Sequence, residues 1–181
     1  MDLSADDLAA RARRIRLVLL DVDGVLTDGG VVIESGGGEA KTFSIRDGAA
    51  IVWAQRAGLE VGLLSGRRSE ATTRRAAELG IELVIQHGSD KREPFLALLA
   101  SRGLEADEVA YMGDDLLDLP VLMRAGLSGA PADAAADVLS RVHWISRHGG
   151  GRGAVREFIE LLLGARQAWE PLVARHTDPS S

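Results

Sequence analysis

Cysteine is absent from the 181 residues, which rules out disulfides, thiolate metal ligands and cysteine nucleophiles. Histidine is scarce: His143, His148 and His176, like the three tryptophans, stand at no spacing that makes a ligand set and read as structural or surface residues. No role is assigned to His87. No apolar run is long enough to cross a bilayer, and the N-terminus shows no apolar signal region, so a cytoplasmic location without membrane contact is expected. Basic residues are outnumbered, 21 Lys+Arg against 27 Asp+Glu, for a net charge of −6. Such a surface disfavours nonspecific binding to nucleic acid or anionic lipid. There is no internal repeat. What remains is a chain of single-domain length with 46% hydrophobic residues, enough to bury a full core.

Residues 4–14 read as a short helix with Ser4 as N-cap and Asp6 and Asp7 in its first turn. Leu17, Val18, Leu19 and Leu20 lack polar alternation, the pattern of a strand buried on both faces. In residues 29–45, short runs at 31–33 and 41–45 flank a glycine-rich tip and predict a β-hairpin, too short to be a cap domain. Asp47 is expected to cap a helix to about residue 57, ended by Gly58. Further strands are expected at 59–64, 83–86, 109–112, 127–130 and 143–145. Helices are expected at 68–79, from a Ser89 or Asp90 cap to 102, at 116–124, as a turn at 134–139 and at 154–163. After Gly164 a second short helix leads into a polar end expected to fray. Strands alternating with helices predict an α/β fold with a doubly wound parallel sheet, the hairpin standing in place of a cap domain. The expected division is an N-terminal helical segment (1–14), a main domain (15–164) and a C-terminal helix and tail (165–181).

Polar residues punctuate the strand ends, where open α/β sheets bind ligands. The first strand runs into Asp21-Val22-Asp23-Gly24, whose two aspartates would point to one side of an extended chain. Two anions at close quarters call for a cation, and Gly24 lets the chain leave the strand. Ser65-Gly66-Arg67 places a hydroxyl and turn amides where they can hold a phosphate oxygen. Lys91 falls at a helix N-terminus, against the dipole, a placement that a facing anion would explain. Asp114, Asp115 and Asp118 put three carboxylates within five positions after another strand. Hard oxygen ligands without a Cys or His pattern suit Mg²⁺. Singly each is an ordinary solvated turn, but together they make a site.

The strings DVDGVLTDG (21–29), SGR (65–67), Lys91 and GDDLLD (113–118) resemble, in order, the four motifs of the haloacid dehalogenase superfamily of phosphohydrolases. Over roughly residues 17–163 the chain is similar to the capless members that act on 3-deoxy-D-manno-octulosonate 8-phosphate (KDO 8-phosphate). The segments EAKTF (39–43), SIRDG (44–48) and GGGRGAVRE (149–157) carry that closer likeness. Ser65 replaces the threonine favoured there, His87 stands where glycine is expected, and Ala49-Ala50 replaces a larger or glycine-containing pair.

The resemblance implies a Mg²⁺-dependent phosphatase. Asp21 would attack phosphorus to give a phosphoaspartyl enzyme, and Asp23 would protonate the leaving sugar oxygen and later take a proton from water. Asp21, Asp114 and the Asp23 backbone carbonyl would hold the metal, with Asp115 or Asp118 orienting its waters. Lys91 and Ser65 would offset phosphoryl charge. Substrate contacts are implied for Asp23, Ser44, Ile45, Arg46, Asp47, Gly48, Arg67, Arg75 and Lys91. The implied substrate is KDO 8-phosphate, yielding KDO for lipopolysaccharide synthesis; a nine-carbon keto-deoxy acid 9-phosphate of the KDN or sialic acid type is the alternative. A phospho-accepting receiver domain uses similar residues, but its acceptor Asp follows its acidic pair, the reverse of the order here. The hairpins are implied to associate in a homotetramer, with the 149–157 segment closing a neighbour's site through Arg152 or Arg156.

Overall fold

Leu17–Leu20 forms β1, and all four side chains are buried. A separate antiparallel hairpin follows, β2 (Val32–Ile33) and β3 (Glu39–Ala40). Two parallel neighbours flank β1: β4 (Glu60–Ser65) on one side and β6 (Val109–Met112) on the other, with Leu20 in register with Leu63 and Met112. With β5 (Leu83–Gln86), β7 (Leu127–Ala130) and β8 (Trp144–Ile145) they form a parallel sheet in the order β5-β4-β1-β6-β7-β8. The computed structural model describes residues 3–88 and 90–177. From β1 the chain moves out to β4 and β5, then returns to the opposite side at β6. That reversal opens a crevice beyond the C-terminal ends of β1 and β6, where doubly wound sheets bind ligands.

Alternate side chains of β1 feed two cores, as period-two geometry requires. Val18 and Leu20 share one core with α1 (Ala5–Arg14), α2 (Ile45–Arg56), α3 (Glu70–Glu78) and α7 (Ala154–Ala165). Leu17 and Leu19 share the other with α4 (Arg92–Arg102), α5 (Leu119–Leu122) and α6 (Ala136–Leu139). Phe158 of α7 is buried and stacks on Trp144 at 5.4 Å between centroids. A fully buried side chain of this size contributes about 1.5–3 kcal/mol. The last helix, α8 (Trp169–Thr177), docks where the Trp169 ring meets Trp53 edge-on at 6.0 Å.

Several boundaries differ from expectation for local reasons. The hairpin is shorter than 29–45: residues 41–44 leave the ladder, and Ile45 already opens α2 because Ser44 Oγ accepts the Asp47 amide at 3.2 Å. Asp47 therefore does not cap its own helix. Its buried carboxylate instead accepts the amides of Gly153 (3.2 Å) and Arg156 (2.7 Å), capping the start of α7 from 106 residues away. The helix expected at 116–124 is a 3₁₀ turn, Leu116–Asp118, followed by α5, with a capping box between Asp115 and Asp118. Ser69 caps α3, so that helix starts at Glu70 rather than 68. The helix expected at 154–163 runs on through Gly164 to Ala165. The proposed Ser89 cap and the last four residues of the expected frayed end lie outside the described residues; Asp90 Oδ1 does accept the Arg92 amide at 2.9 Å.

Candidate active site

The crevice between β1 and β6 collects the strand-end acids. The Asp21 amide continues the ladder by one bond, donating to the Met112 carbonyl at 3.0 Å, so its side chain enters the crevice at a defined height. The chain turns immediately afterwards, and Asp21 and Asp23 pair with different lysines while lining one cavity. Asp21 is buried against Lys91, whose ammonium lies 2.8 Å from it and 2.6 Å from Asp118. Lys91 occupies the N-cap position of α4 with no capping bond of its own, so its unfavourable place on the helix is offset by these two anions.

Asp118 organises the loop after β6. One carboxylate oxygen accepts from Lys91 and from the Tyr111 hydroxyl (2.5 Å); the other accepts the amides of Asp114 (3.0 Å) and Asp115 (3.1 Å). Asp115 faces solvent and accepts the Leu116 amide at 2.7 Å. Of the two acids proposed to orient metal waters, Asp118 stands within the carboxylate cluster and Asp115 lines the same cavity. Gly24 makes room for Asp114: its φ is +88°, and a Cβ there would lie 2.0 Å from Asp114 Oδ2. Gly150 lies under the same turn, where a Cβ would sit 1.9 Å from the Gly24 carbonyl, and the Gly151 amide donates to the Val25 carbonyl at 2.9 Å. The glycine-rich tail thus braces the site of its own chain. Thr27, buried, accepts the amides of Gly24 and Gly29 and closes the turn from within.

Asp23 meets a mixed-charge cluster at the same cavity. Lys41 approaches it at 2.6 Å, Arg67 at 3.9 Å, and Arg67 is paired with Glu39 at 3.0 Å. Ser65 is buried at the end of β4, its hydroxyl accepting the Arg67 amide at 3.3 Å. A cavity of about 370 Å³ runs past Asp21, Asp23, Ser65, Arg67, Lys91 and Asp114. A larger groove of about 800 Å³, between α1 and α7, shares no residue with it and holds no carboxylate cluster.

Other expected contacts lie elsewhere within one chain. Asp47 is occupied by α7. Arg75 pairs with Glu78 at 2.8 Å, donates to the Ser44 carbonyl at 3.2 Å and lies over the Phe43 ring, so it supports the 43–48 segment rather than lining the cavity. Gly48 is buried against Arg75, while Ile45 and Arg46 are exposed. The arginines proposed to act on a neighbour separate as well. Arg156 is held between Trp53 (4.4 Å) and Trp169 (5.0 Å) and pairs with Glu160, so it cannot reach out. Arg152 is exposed, 3.7 Å from Asp28. Three residues had no individual role in the sequence reading: Lys41 and Thr27, which lie inside the segments 39–43 and 21–29 that carry the resemblance, and Tyr111. Lys41, one of two lysines, and Tyr111, the one tyrosine, are also rare residue types in this chain.

The charge balance of the crevice favours a cation. Asp21, Asp114 and Asp118 each offer an oxygen within 4.8 Å of the others, against the one ammonium of Lys91. Burial, then the charge of Asp118, pushes Asp21 up to about 6 against the pull of Lys91. Burial and the charges of Asp21 and Asp118 push Asp114 up to about 8. Burial opposes the Lys91 charge, yet Asp21 and Asp118 outweigh it and raise the ammonium above its usual range. Two uncompensated negative charges on hard oxygens fit a divalent cation such as Mg²⁺. Donors already engage both oxygens of Asp118, which leaves Asp21 and Asp114 as the carboxylates free to ligate.

No protein-family model matches the chain. It is 43% identical over 166 residues to the 3-deoxy-D-manno-octulosonate 8-phosphate phosphatase of Yersinia pestis, covering 92% of this chain and 89% of that protein. To the enzyme of the same name from Escherichia coli (strain K12) it is 44% identical over 160 residues, covering 88% and 85%. Among solved structures, it superposes on the Moraxella catarrhalis phosphatase of that name, in complex with magnesium, phosphate and KDO, with a TM-score of 0.92. That alignment has 34% identity and covers 94% of this chain and 98% of the other.

Proposed function

The chain belongs to the 3-deoxy-D-manno-octulosonate 8-phosphate phosphatase family of the haloacid dehalogenase superfamily, and on that premise we propose that it hydrolyses KDO 8-phosphate to KDO and phosphate. The observation that carries this reading is the β1–β6 crevice, where Asp21 and Asp114 need a divalent cation and Lys91 holds Asp21 in place.

Lys91 engages one oxygen of Asp21, leaving the other to attack phosphorus. The O–P bond to Asp21 forms as the P–O bond to the sugar breaks, and Asp23 gives its proton to the departing sugar oxygen. Water then cleaves the phosphoaspartyl group while Asp23 takes the proton back. Bound by Asp21, Asp114 and the Asp23 backbone carbonyl, Mg²⁺ would offset the charge of the phosphoryl oxygens. Asp118 keeps Lys91 and the 113–118 loop in position. Ser65, which lines the cavity, would offer its hydroxyl to a phosphoryl oxygen. Arg67, half-exposed at the mouth, is suited to the carboxylate of the sugar acid.

Within one chain the 44–48 segment does not line the cavity. Ile45 is 84% exposed, and Val32 and Ile33 on the hairpin are 64% and 82% exposed. Exposed strand edges and apolar side chains invite a second copy. These features support a homotetramer in which hairpins associate, and Ile45, Arg46 or Arg152 reach a neighbour's site. The acidic, cysteine-free composition supports a cytoplasmic location within the same proposal.

A panel of sugar phosphates with Mg²⁺, scored by kcat/KM, tests the reading. KDO 8-phosphate should lead. A clear preference for a nine-carbon 9-phosphate would move the enzyme to the alternative sugar, and no phosphate release from any would refute the function.

A further inference from the structure

The chain carries 21 basic residues, and only two of them, Lys41 and Lys91, are lysines. Both lysine side chains are buried, 0% and 3% exposed. Each is paired with one aspartate of the first turn: Lys91 with Asp21 at 2.8 Å and Lys41 with Asp23 at 2.6 Å. Everywhere else the positive charge is arginine. Burying an ammonium is costly unless it is closely paired, so the burial of Lys41 requires a partner, and Asp23 meets that need. Asp23 Oδ2 accepts from Nζ at 2.9 Å, and the buried Oδ1 lies 2.6 Å from the same ammonium without a hydrogen bond of its own. Glu39 lies farther away, at 3.8 Å, and is itself committed to Arg67.

The backbone supports the same division. Lys41 comes just after β3, where the hairpin abandons its ladder, so the chain gives up strand pairing where this side chain turns inward. A compact ammonium on a flexible stem fits between carboxylates more closely than a planar guanidinium does. Arg67 cannot replace it, being 51% exposed and 3.9 Å from Asp23.

We infer that Lys41 is a positioning residue for Asp23, holding its carboxyl group where it meets the leaving oxygen of the substrate, as Lys91 holds Asp21 for attack. The inference rests on the function proposed above and adds a residue to its proton-transfer half. Lys41 neither gains nor loses a proton in the cycle; the proton passes from Asp23 to the sugar oxygen as the P–O bond breaks. An aryl phosphate makes a different demand, because p-nitrophenolate leaves as a stable anion and needs no proton.

The test compares the wild type with Lys41→Met and Lys41→Arg on KDO 8-phosphate and on p-nitrophenyl phosphate, using the full chain with Mg²⁺. With Lys41→Met, kcat on KDO 8-phosphate should fall about 10²-fold or more, the range of a misplaced general acid, and the fall on the aryl ester should be at least ~10-fold smaller. Lys41→Arg should recover part of the loss on the sugar phosphate. Equal losses on both substrates would show that Lys41 merely anchors the hairpin and would overturn the inference, as would an undiminished kcat on KDO 8-phosphate. A wild type that leaves KDO 8-phosphate untouched would refute the functional reading instead. The same alkyl-to-aryl comparison on glucose 6-phosphate would then still decide the role of Lys41.

Discussion

Mg²⁺ must compete with protons for its two carboxylates, so its affinity should depend steeply on pH. In the metal-free site Asp114 is pushed up to about 8 and Asp21 to about 6, chiefly by burial. Between pH 8 and pH 6 Asp114 becomes almost wholly protonated and Asp21 half so. Displacing those protons should weaken apparent binding roughly 100-fold, ~2.7 kcal/mol at about 1.36 kcal/mol per tenfold. Stability follows the same groups. Both sit above their ordinary value of 3.8, so the stability they contribute is present below about pH 4 and is lost as pH rises through about 6 and 8. The metal-free protein should therefore weaken toward alkaline pH, and the gap in Tm between Mg²⁺ and EDTA should widen from pH 6 to pH 8.5. Titration calorimetry in buffers of different ionisation enthalpy measures the affinity and the protons released per metal. Asp114→Asn should flatten the pH dependence. Equal Mg²⁺ affinity at pH 6 and pH 8, or binding without proton release, would refute the charge argument.

Asp47→Ala should leave two buried amides at the start of α7 without an acceptor and lower stability by about 1–2 kcal/mol, seen as a lower Tm with or without metal. Lys91→Met should expose the repulsion among Asp21, Asp114 and Asp118 and destabilise the metal-free protein by about 3–5 kcal/mol, with part of the loss in Tm recovered by Mg²⁺. Ile33→Glu places a charge on the exposed hairpin; sedimentation should show smaller species with a raised KM and an unchanged monomer fold. An Ile33→Glu variant that sediments like the wild type would sever the hairpin from assembly.

How much of this was legible beforehand depended on range. Asp21, Asp114 and Lys91 could be placed because short apolar runs stop abruptly beside them, and a parallel sheet gathers strand ends at one edge. Asp47 could not, because its partners are amides more than a hundred residues away and a local reading offers only its own helix. The broken helix at 116–124 has the same origin: Asp118 must turn toward Lys91, and that need is invisible in local periodicity. Arg156 looked available because a sequence does not reveal two tryptophans closing around it. Lys41 left a trace, the rarity of lysine, that gained meaning only once its burial was known.

The central claim is that Asp21 carries the phosphoryl group from the sugar to water. Acid-quenching the enzyme during turnover of KDO 8-phosphate with Mg²⁺, followed by mass spectrometry of the peptide containing residues 17–27, tests it directly. The account predicts one phosphoryl group on Asp21 in the wild type, and neither that adduct nor phosphate release in Asp21→Asn. Sustained phosphate release by Asp21→Asn, or a phosphoryl group found on any other residue, would contradict it.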